Sequence, residues 1–344
     1  MERFLKSRYR IGDQISENSF SATYTGTFLA SNRPLIIKIY KRGALNSNLI
    51  NGMKQKVKEL SQINHHGIAR LLDGDYGWQG FYYVREYVEG KSLAQILSGS
   101  DSLGFERTAT LVEEICQSLA LTHAKGIVHG GIKPTNIFID TQGVVKLTDF
   151  VIEGEIKEAM PQKVLNLLDD GRYLAPEELL GEAASPLSDI YGVGMILLAG
   201  ALHKNDVALA GLAGGLKRMR GPMINWPINF DKLPRYMQEI IARALQADPQ
   251  LRFASVAELQ QSLAAKMLVS NKKSHDEYSE LFDKTVTQYG GEEKGKVQAA
   301  VEAIPEGLRE MRWQKEDHRR WILALVLILS IVAGLVYAFL FGGN

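Results

Sequence analysis

Side chains suited to phosphate and metal chemistry fall in three short runs of the 344-residue chain. Ile36-Ile37-Lys38 ends in an ammonium able to pair with phosphate oxygens. His129-Gly130-Gly131-Ile132-Lys133-Pro134-Thr135-Asn136 ends in a carboxamide, and Asp149-Phe150-Val151 begins with a carboxylate. Together these are oxygen donors of the kind that magnesium takes alongside phosphate. Beyond them stand Ala175-Pro176-Glu177, Asp189 and Arg252. Groups this far apart in sequence meet only if a large domain folds around them.

The composition permits such a domain. Hydrophobic residues make up 45% of the chain, and 40 basic residues nearly balance 39 acidic ones, for a formal net charge of +1. That balance argues against nucleic acid as a partner and against an acidic disordered tail. The one cysteine, Cys116, excludes an intramolecular disulfide framework and fits a reducing compartment.

The elements follow from periodicity. Ser21 to Phe28 is rich in β-branched and aromatic residues, and Leu35 to Tyr40 follows Pro34, so both are expected to be strands. Leu49, Met53, Val57, Leu60 and Ile63 recur near 3.6 residues and predict an amphipathic helix over 46–63. Strands are expected at Ile68–Leu72 and Phe81–Val88, then mostly helix, interrupted by a β-rich stretch at Ile127–Leu147. The apolar run Ile190–Leu202 is too short to span a bilayer and is expected to be a buried helix. Residues 269–320 form a charged connector broken at Gly290-Gly291 and Pro305.

From Trp321 to Phe341 no residue is charged. As a helix this run covers about 31 Å, close to the thickness of a bilayer's hydrocarbon core, and is expected to span it. Arg309, Arg312, Lys315, Arg319 and Arg320 precede it, and only Gly342, Gly343 and Asn344 follow. The positive-inside rule then places the amino-terminal domain in the cytoplasm and the carboxy terminus outside, in a single pass of the cell (inner) membrane. MERFLKSRYR lacks the apolar region of a cleaved signal.

The order and spacing of the motifs resemble the protein kinase family over residues 5–268, in the manner of bacterial membrane Ser/Thr kinases. Ile36-Ile37-Lys38 resembles the VAIK strand, and His65-His66-Gly67-Ile68 the turn after helix αC. Glu86-Tyr87-Val88 resembles the hinge, the run from His129 to Asn136 the HRDLKxxN loop, Asp149-Phe150-Val151 the DFG motif, and Ala175-Pro176-Glu177 the APE motif. The resemblance implies an α+β, two-lobed protein-kinase-like fold: a β-rich lobe with one helix (1–88), a larger helical lobe (89–268), a juxtamembrane connector (269–320) and a transmembrane helix (321–341). It implies ATP and Mg as ligands, with Lys38, Asn136 and Asp149 as nucleotide positions and Asn136 and Asp149 as Mg ligands. The alternative is that Asn136 and Asp149 only brace the loop and no cofactor binds. Glu177 and Arg252 match a buried ion pair, and Asp189 the carboxylate that braces the catalytic loop.

The same resemblance exposes what the chemistry lacks. Gly131 stands where an aspartate orients the attacking hydroxyl, so no catalytic residue is assigned. Gly130 replaces the preceding arginine, while His129 is expected to pack structurally. Ser16, Asn18 and Ser21 replace the three glycines of the phosphate-covering loop, where Glu17 adds the wrong charge; an ordinary hairpin turn is the favoured alternative. Lys56 stands where a glutamate would pair with Lys38, leaving Glu59 as a substitute should the helix rotate. Arg85 takes the position before the hinge glutamate, where it would fill the adenine pocket or bridge to an acid such as Glu59. From Asp149 to Glu177 there is no serine or threonine, Val151 replaces the DFG glycine, and Asp170 could pair with Lys133.

These features together point to a membrane-anchored pseudokinase acting as a scaffold or adaptor, nucleotide-modulated at most. Its partners would be the membrane and other proteins of a membrane-associated assembly. The alternative is an atypical active Ser/Thr kinase transferring phosphoryl or nucleotidyl groups through Lys38, Asn136 and Asp149.

Overall fold

Alternation with a period of two organises the first lobe. In a computed structural model, which describes residues 3–17, 21–99, 103–150, 173–202, 232–265 and 267, six strands form one antiparallel sheet. They are β1 (Arg3–Leu5), β2 (Tyr9–Glu17), β3 (Ser21–Phe28), β4 (Arg33–Tyr40), β5 (Leu71–Gly77) and β6 (Gly80–Glu86), in the order β1-β2-β3-β4-β6-β5. Leu35, Ile37, Tyr82 and Val84 pack on one face with Leu5 and Tyr9. On the other, Tyr40, Phe81 and Tyr83 pack with Leu49, Met53 and Val57 of helix α1 (Ser47–Ser61). Successive side chains in a strand point to opposite faces, so Lys38 and Arg85 share the face of Tyr83. Lys38 stands opposite Tyr83 in the β4–β6 register, and Ile36 opposite Arg85.

Helix α1 begins where expected, because the Asn46 side chain accepts a hydrogen bond from the Leu49 amide at 2.9 Å. The sheet curls far enough for Lys6 to reach Asp75 of β5 at 2.9 Å, and Lys54 of α1 meets the same carboxylate at 2.6 Å. The two lysines, Lys54 first, hold the Asp75 carboxyl below its usual range. The strand expected at Ile68–Leu72 is displaced: β5 starts at Leu71, whereas Ile68 makes an isolated parallel bridge to Leu147.

The second lobe is helical around a small sheet. Strands β7 (Gly90–Ser92), β8 (Ile137–Asp140) and β9 (Val145–Leu147) pair in that order. A Cβ on Gly90 would lie 2.1 Å from the Ile139 carbonyl oxygen, so only glycine permits this pairing. After the short helix α2 (Leu93–Leu97) comes α3 (Phe105–His123), followed by α4 (Pro176–Leu179), α5 (Pro186–Ala201), α6 (Arg235–Ala244) and α7 (256–265). Helix α5 contains the run expected to be buried. It is apolar on nearly every side because it is the core of this lobe. Ser185 caps it through the Leu187 and Ser188 amides.

The chain divides into two compact units, Met1–Lys272 and Lys273–Asn344, and every described residue belongs to the first. The charged connector and the apolar span at 321–341 lie outside the described residues. Among the described residues no helix is long and apolar enough to cross a membrane.

Candidate functional site

Asp149 is the centre of the cleft between the lobes. It follows β9 with a left-handed backbone (φ 61°), a conformation that aspartate tolerates better than most residues and that its surroundings hold in place. Oδ1 accepts hydrogen bonds from the Tyr83 hydroxyl at 2.5 Å and from Arg85 Nε at 3.3 Å. Oδ2 lies 3.6 Å from Lys38 Nζ. Burial alone would raise the carboxyl's pKa, but Lys38, Arg85, the Tyr83 hydroxyl and Lys133 outweigh it and hold the group well below the usual carboxylate range. Tyr83 moves the other way: burial and the charge of Asp149 push its hydroxyl well above its ordinary value, so it remains a donor.

Arg85 has two further contacts. Nη1 donates to the Glu86 carbonyl at 3.2 Å, and the guanidinium carbon lies 5.7 Å from the ring centre of Phe138. The Glu86 carboxylate accepts from Lys146 Nζ at 2.8 Å, a second link between the lobes. Arg85 bridges to an acid, one of the two expected alternatives, but the acid is Asp149 and not Glu59. Glu59 is exposed and accepts from Gln55 at 2.9 Å, so it does not stand in for a partner of Lys38.

The loop from His129 to Asn136 is held by backbone contacts. Asp189 of α5 accepts from the His129 and Gly130 amides, each at 2.8 Å, and its Oδ2 is 2.8 Å from His123 Nε2. The His129 ring lies 4.3 Å from that of Phe150 and is fully buried, a packing role as expected. Asn136 Nδ2 donates to the Gly131 carbonyl at 2.9 Å, so this amide braces the loop. Glu17, near the hairpin tip, pairs with Lys41 at 2.7 Å. Residues 18–20, Val151 and Asp170 lie outside the described residues.

A magnesium nucleotide needs carboxylate oxygens open to the metal and a place for a planar base. Here both oxygens of Asp149 face the chain's own donors, and Arg85 lies over Phe138. As arranged, the residues do not fit magnesium and ATP together.

The architecture itself is familiar. The protein kinase domain family matches residues 9–264. The chain belongs to the protein kinase family. It is 25% identical over 342 residues to the serine/threonine-protein kinase PrkC of Bacillus subtilis, covering 96% of this chain and 52% of that one. It is 28% identical over 268 residues to the serine/threonine-protein kinase PknA of Mycobacterium tuberculosis, covering 76% of this chain and 62% of that one. The chain thus spans between half and two thirds of the length of these relatives. Among solved structures, Rad53 residues 1–466 in complex with AMP-PNP superimposes with a TM-score of 0.59 at 20% identity, covering 74% of this chain and 64% of that one. This likeness is one of fold.

Within this kinase domain the Glu177–Arg252 pair forms as expected, with both oxygens of Glu177 at 2.7 Å from the guanidinium. Tyr83 and Lys146 were missed by motif reasoning. The signal for Tyr83 was the alternation along Phe81–Glu86, which places it on the face of Lys38. Tyr83→Phe removes a hydrogen bond to a buried anion and is expected to lower stability by about 1.5–3 kcal/mol. Urea denaturation at neutral pH measures this, and an unchanged midpoint would show that the hydroxyl contributes nothing.

Proposed function

We propose that this kinase domain is a membrane-anchored pseudokinase that works as a scaffold or adaptor on the cytoplasmic side of the membrane. The observation that carries this is Asp149, whose two carboxylate oxygens are held by Tyr83, Arg85 and Lys38. Gly131, at the position of the family's hydroxyl-orienting aspartate, leaves that task without a side chain. What remains is the bracing: Asp189 on the loop backbone and Arg252 on Glu177 keep the large lobe rigid. A binding surface needs that rigidity and no phosphoryl transfer. The apolar run 321–341 and the basic residues before it support the anchor and its orientation. Partners would be other proteins of a membrane-associated assembly.

A second possibility, an ATP- and magnesium-dependent Ser/Thr kinase of unusual geometry, is favoured by the relatives, which are named as serine/threonine-protein kinases. It requires Arg85 to leave Asp149 and an acid from elsewhere to serve the acceptor hydroxyl.

Replacement in the host separates the two. In a strain lacking the chain, Lys38→Met expressed at the wild-type level is expected to restore the wild-type phenotype in full. If it behaves like the deletion while an unrelated surface variant complements, the scaffold assignment fails.

A further inference from the structure

The cleft holds a feature that loss of catalysis does not by itself require. Arg85 is 6% exposed, so its charge needs compensation inside the protein. Asp149 supplies the counter-charge at 3.3 Å, the Glu86 carbonyl accepts from Nη1 at 3.2 Å, and the face of Phe138 lies 5.7 Å from the guanidinium carbon. A flat group with donor edges therefore lies against an aromatic face, donates to the backbone where the lobes join, and reaches the central carboxylate. A planar heterocycle with an exocyclic amine, such as adenine, would use the same aromatic face and the same carbonyl. The two cannot occupy that space together.

Electrostatics acts in the same direction. A divalent cation on Asp149 would take the counter-charge of Arg85 and stand beside both Arg85 and Lys38. Lys146 on Glu86 adds a second tie between the lobes, at 2.8 Å.

We propose that Arg85 is a built-in occupant of the cleft, a guanidinium in the place of a purine, and that this one side chain shuts adenine nucleotides out. This rests on the reading of the domain as a scaffold and adds what keeps its cleft closed: occupation by the chain itself, independent of the missing acid at Gly131. The consequence is a gain on removal. An unbranched apolar side chain at this position vacates the Phe138 face and the Glu86 carbonyl and leaves Asp149 with Lys38 and Tyr83.

The test is a titration of the full-length chain with ATP and magnesium chloride, read by calorimetry and by melting temperature, on the wild type, Arg85→Met and Arg85→Thr. The wild type is expected to show no saturable binding at millimolar ATP. Both variants are expected to bind at least about tenfold more tightly and to melt higher with nucleotide. Equal affinity in all three overturns the proposal. Saturable binding to the wild type without phosphate transfer also overturns it while leaving the scaffold assignment intact; transfer of phosphate from ATP by the wild type overturns both. Should both variants fail to fold, the wild type is titrated with adenosine, which has neither phosphate nor metal to be repelled. Binding then sinks the proposal, and no binding upholds it.

Discussion

Arg252→Ala is expected to destabilise the kinase domain by about 3–5 kcal/mol, the usual result of stripping one partner from a buried ion pair. For a domain of this size that corresponds to a fall in melting temperature of roughly 10 °C. The guanidinium has five N–H donors, and all five are used. Nε donates to the Gln246 carbonyl at 2.8 Å. Nη1 donates to Glu177 at 2.7 Å and to the Leu187 carbonyl at 2.8 Å, and Nη2 to Glu177 at 2.7 Å and the Ala247 carbonyl at 3.3 Å. Its side chain is 0% exposed and stacks on Tyr191. Removing it leaves a buried carboxylate with the Ser188 hydroxyl as a remaining donor, and three partly buried carbonyls to find new partners. Glu177→Gln keeps those carbonyl contacts and is expected to cost less.

The loss depends on pH in a definite direction. Burial would raise the Glu177 carboxyl, but the hydrogen bonds and charge of Arg252 lower it below its ordinary value. A lowered folded-state pKa contributes stability that is complete above the unfolded value, about 4.3. It is lost as pH falls through the folded one. The gap between wild type and Arg252→Ala should therefore be widest near neutrality and narrow as both are taken into acid. Denaturant midpoints measured at several pH values check this; a gap that widens in acid contradicts the assignment.

Gly131→Asp combined with Arg85→Met is expected to gain phosphoryl transfer that neither single variant shows. Positioning the acceptor and moving its proton typically contributes about 10²–10⁴-fold. The combined variant should therefore exceed the wild-type background by at least about 10²-fold. Glycine is not required at this position for its backbone: Gly130 has φ 66°, whereas Gly131 lies outside the left-handed region. The loop is already braced by Asp189 below and by Asn136, which donates to the Gly131 carbonyl. The single variant Gly131→Asp restores a carboxylate beside a cleft still held by Arg85, and is expected to remain inactive. If it alone matches the combined variant, Arg85 does not obstruct the site.

Much of this was legible in the sequence, and the reasons are local. The apolar spacing from Leu49 to Ile63 gave α1 to within a residue or two: Leu49, Met53, Val57 and Leu60 are buried on the helix and Ile63 is buried just past its end. The run Ile190–Leu202 gave the core of α5. The order of motifs gave Glu177 with Arg252 and Asp189 beneath the loop, because identity at braced positions is written in residue type. Partners of long side chains were not. Arg85 has enough reach to meet several acids, and it meets Asp149, which follows β9 into the cleft, whereas Glu59 is exposed on α1. Tyr83 reads as one more apolar strand residue until its hydroxyl is placed against a carboxylate. The strand near residue 70 was misplaced because Ile68 and Ala69, though buried, engage Leu147 across the lobes before β5 begins.

The most direct measurement is incorporation of labelled phosphate from ATP into the wild-type full-length chain and into a general basic protein substrate, with magnesium and with manganese. A cleft whose central acid is held by Tyr83, Arg85 and Lys38 above a glycine at 131 predicts no incorporation over a blank without protein. Incorporation that is abolished by both Lys38→Met and Asp149→Ala would contradict the account and establish this chain as an enzyme.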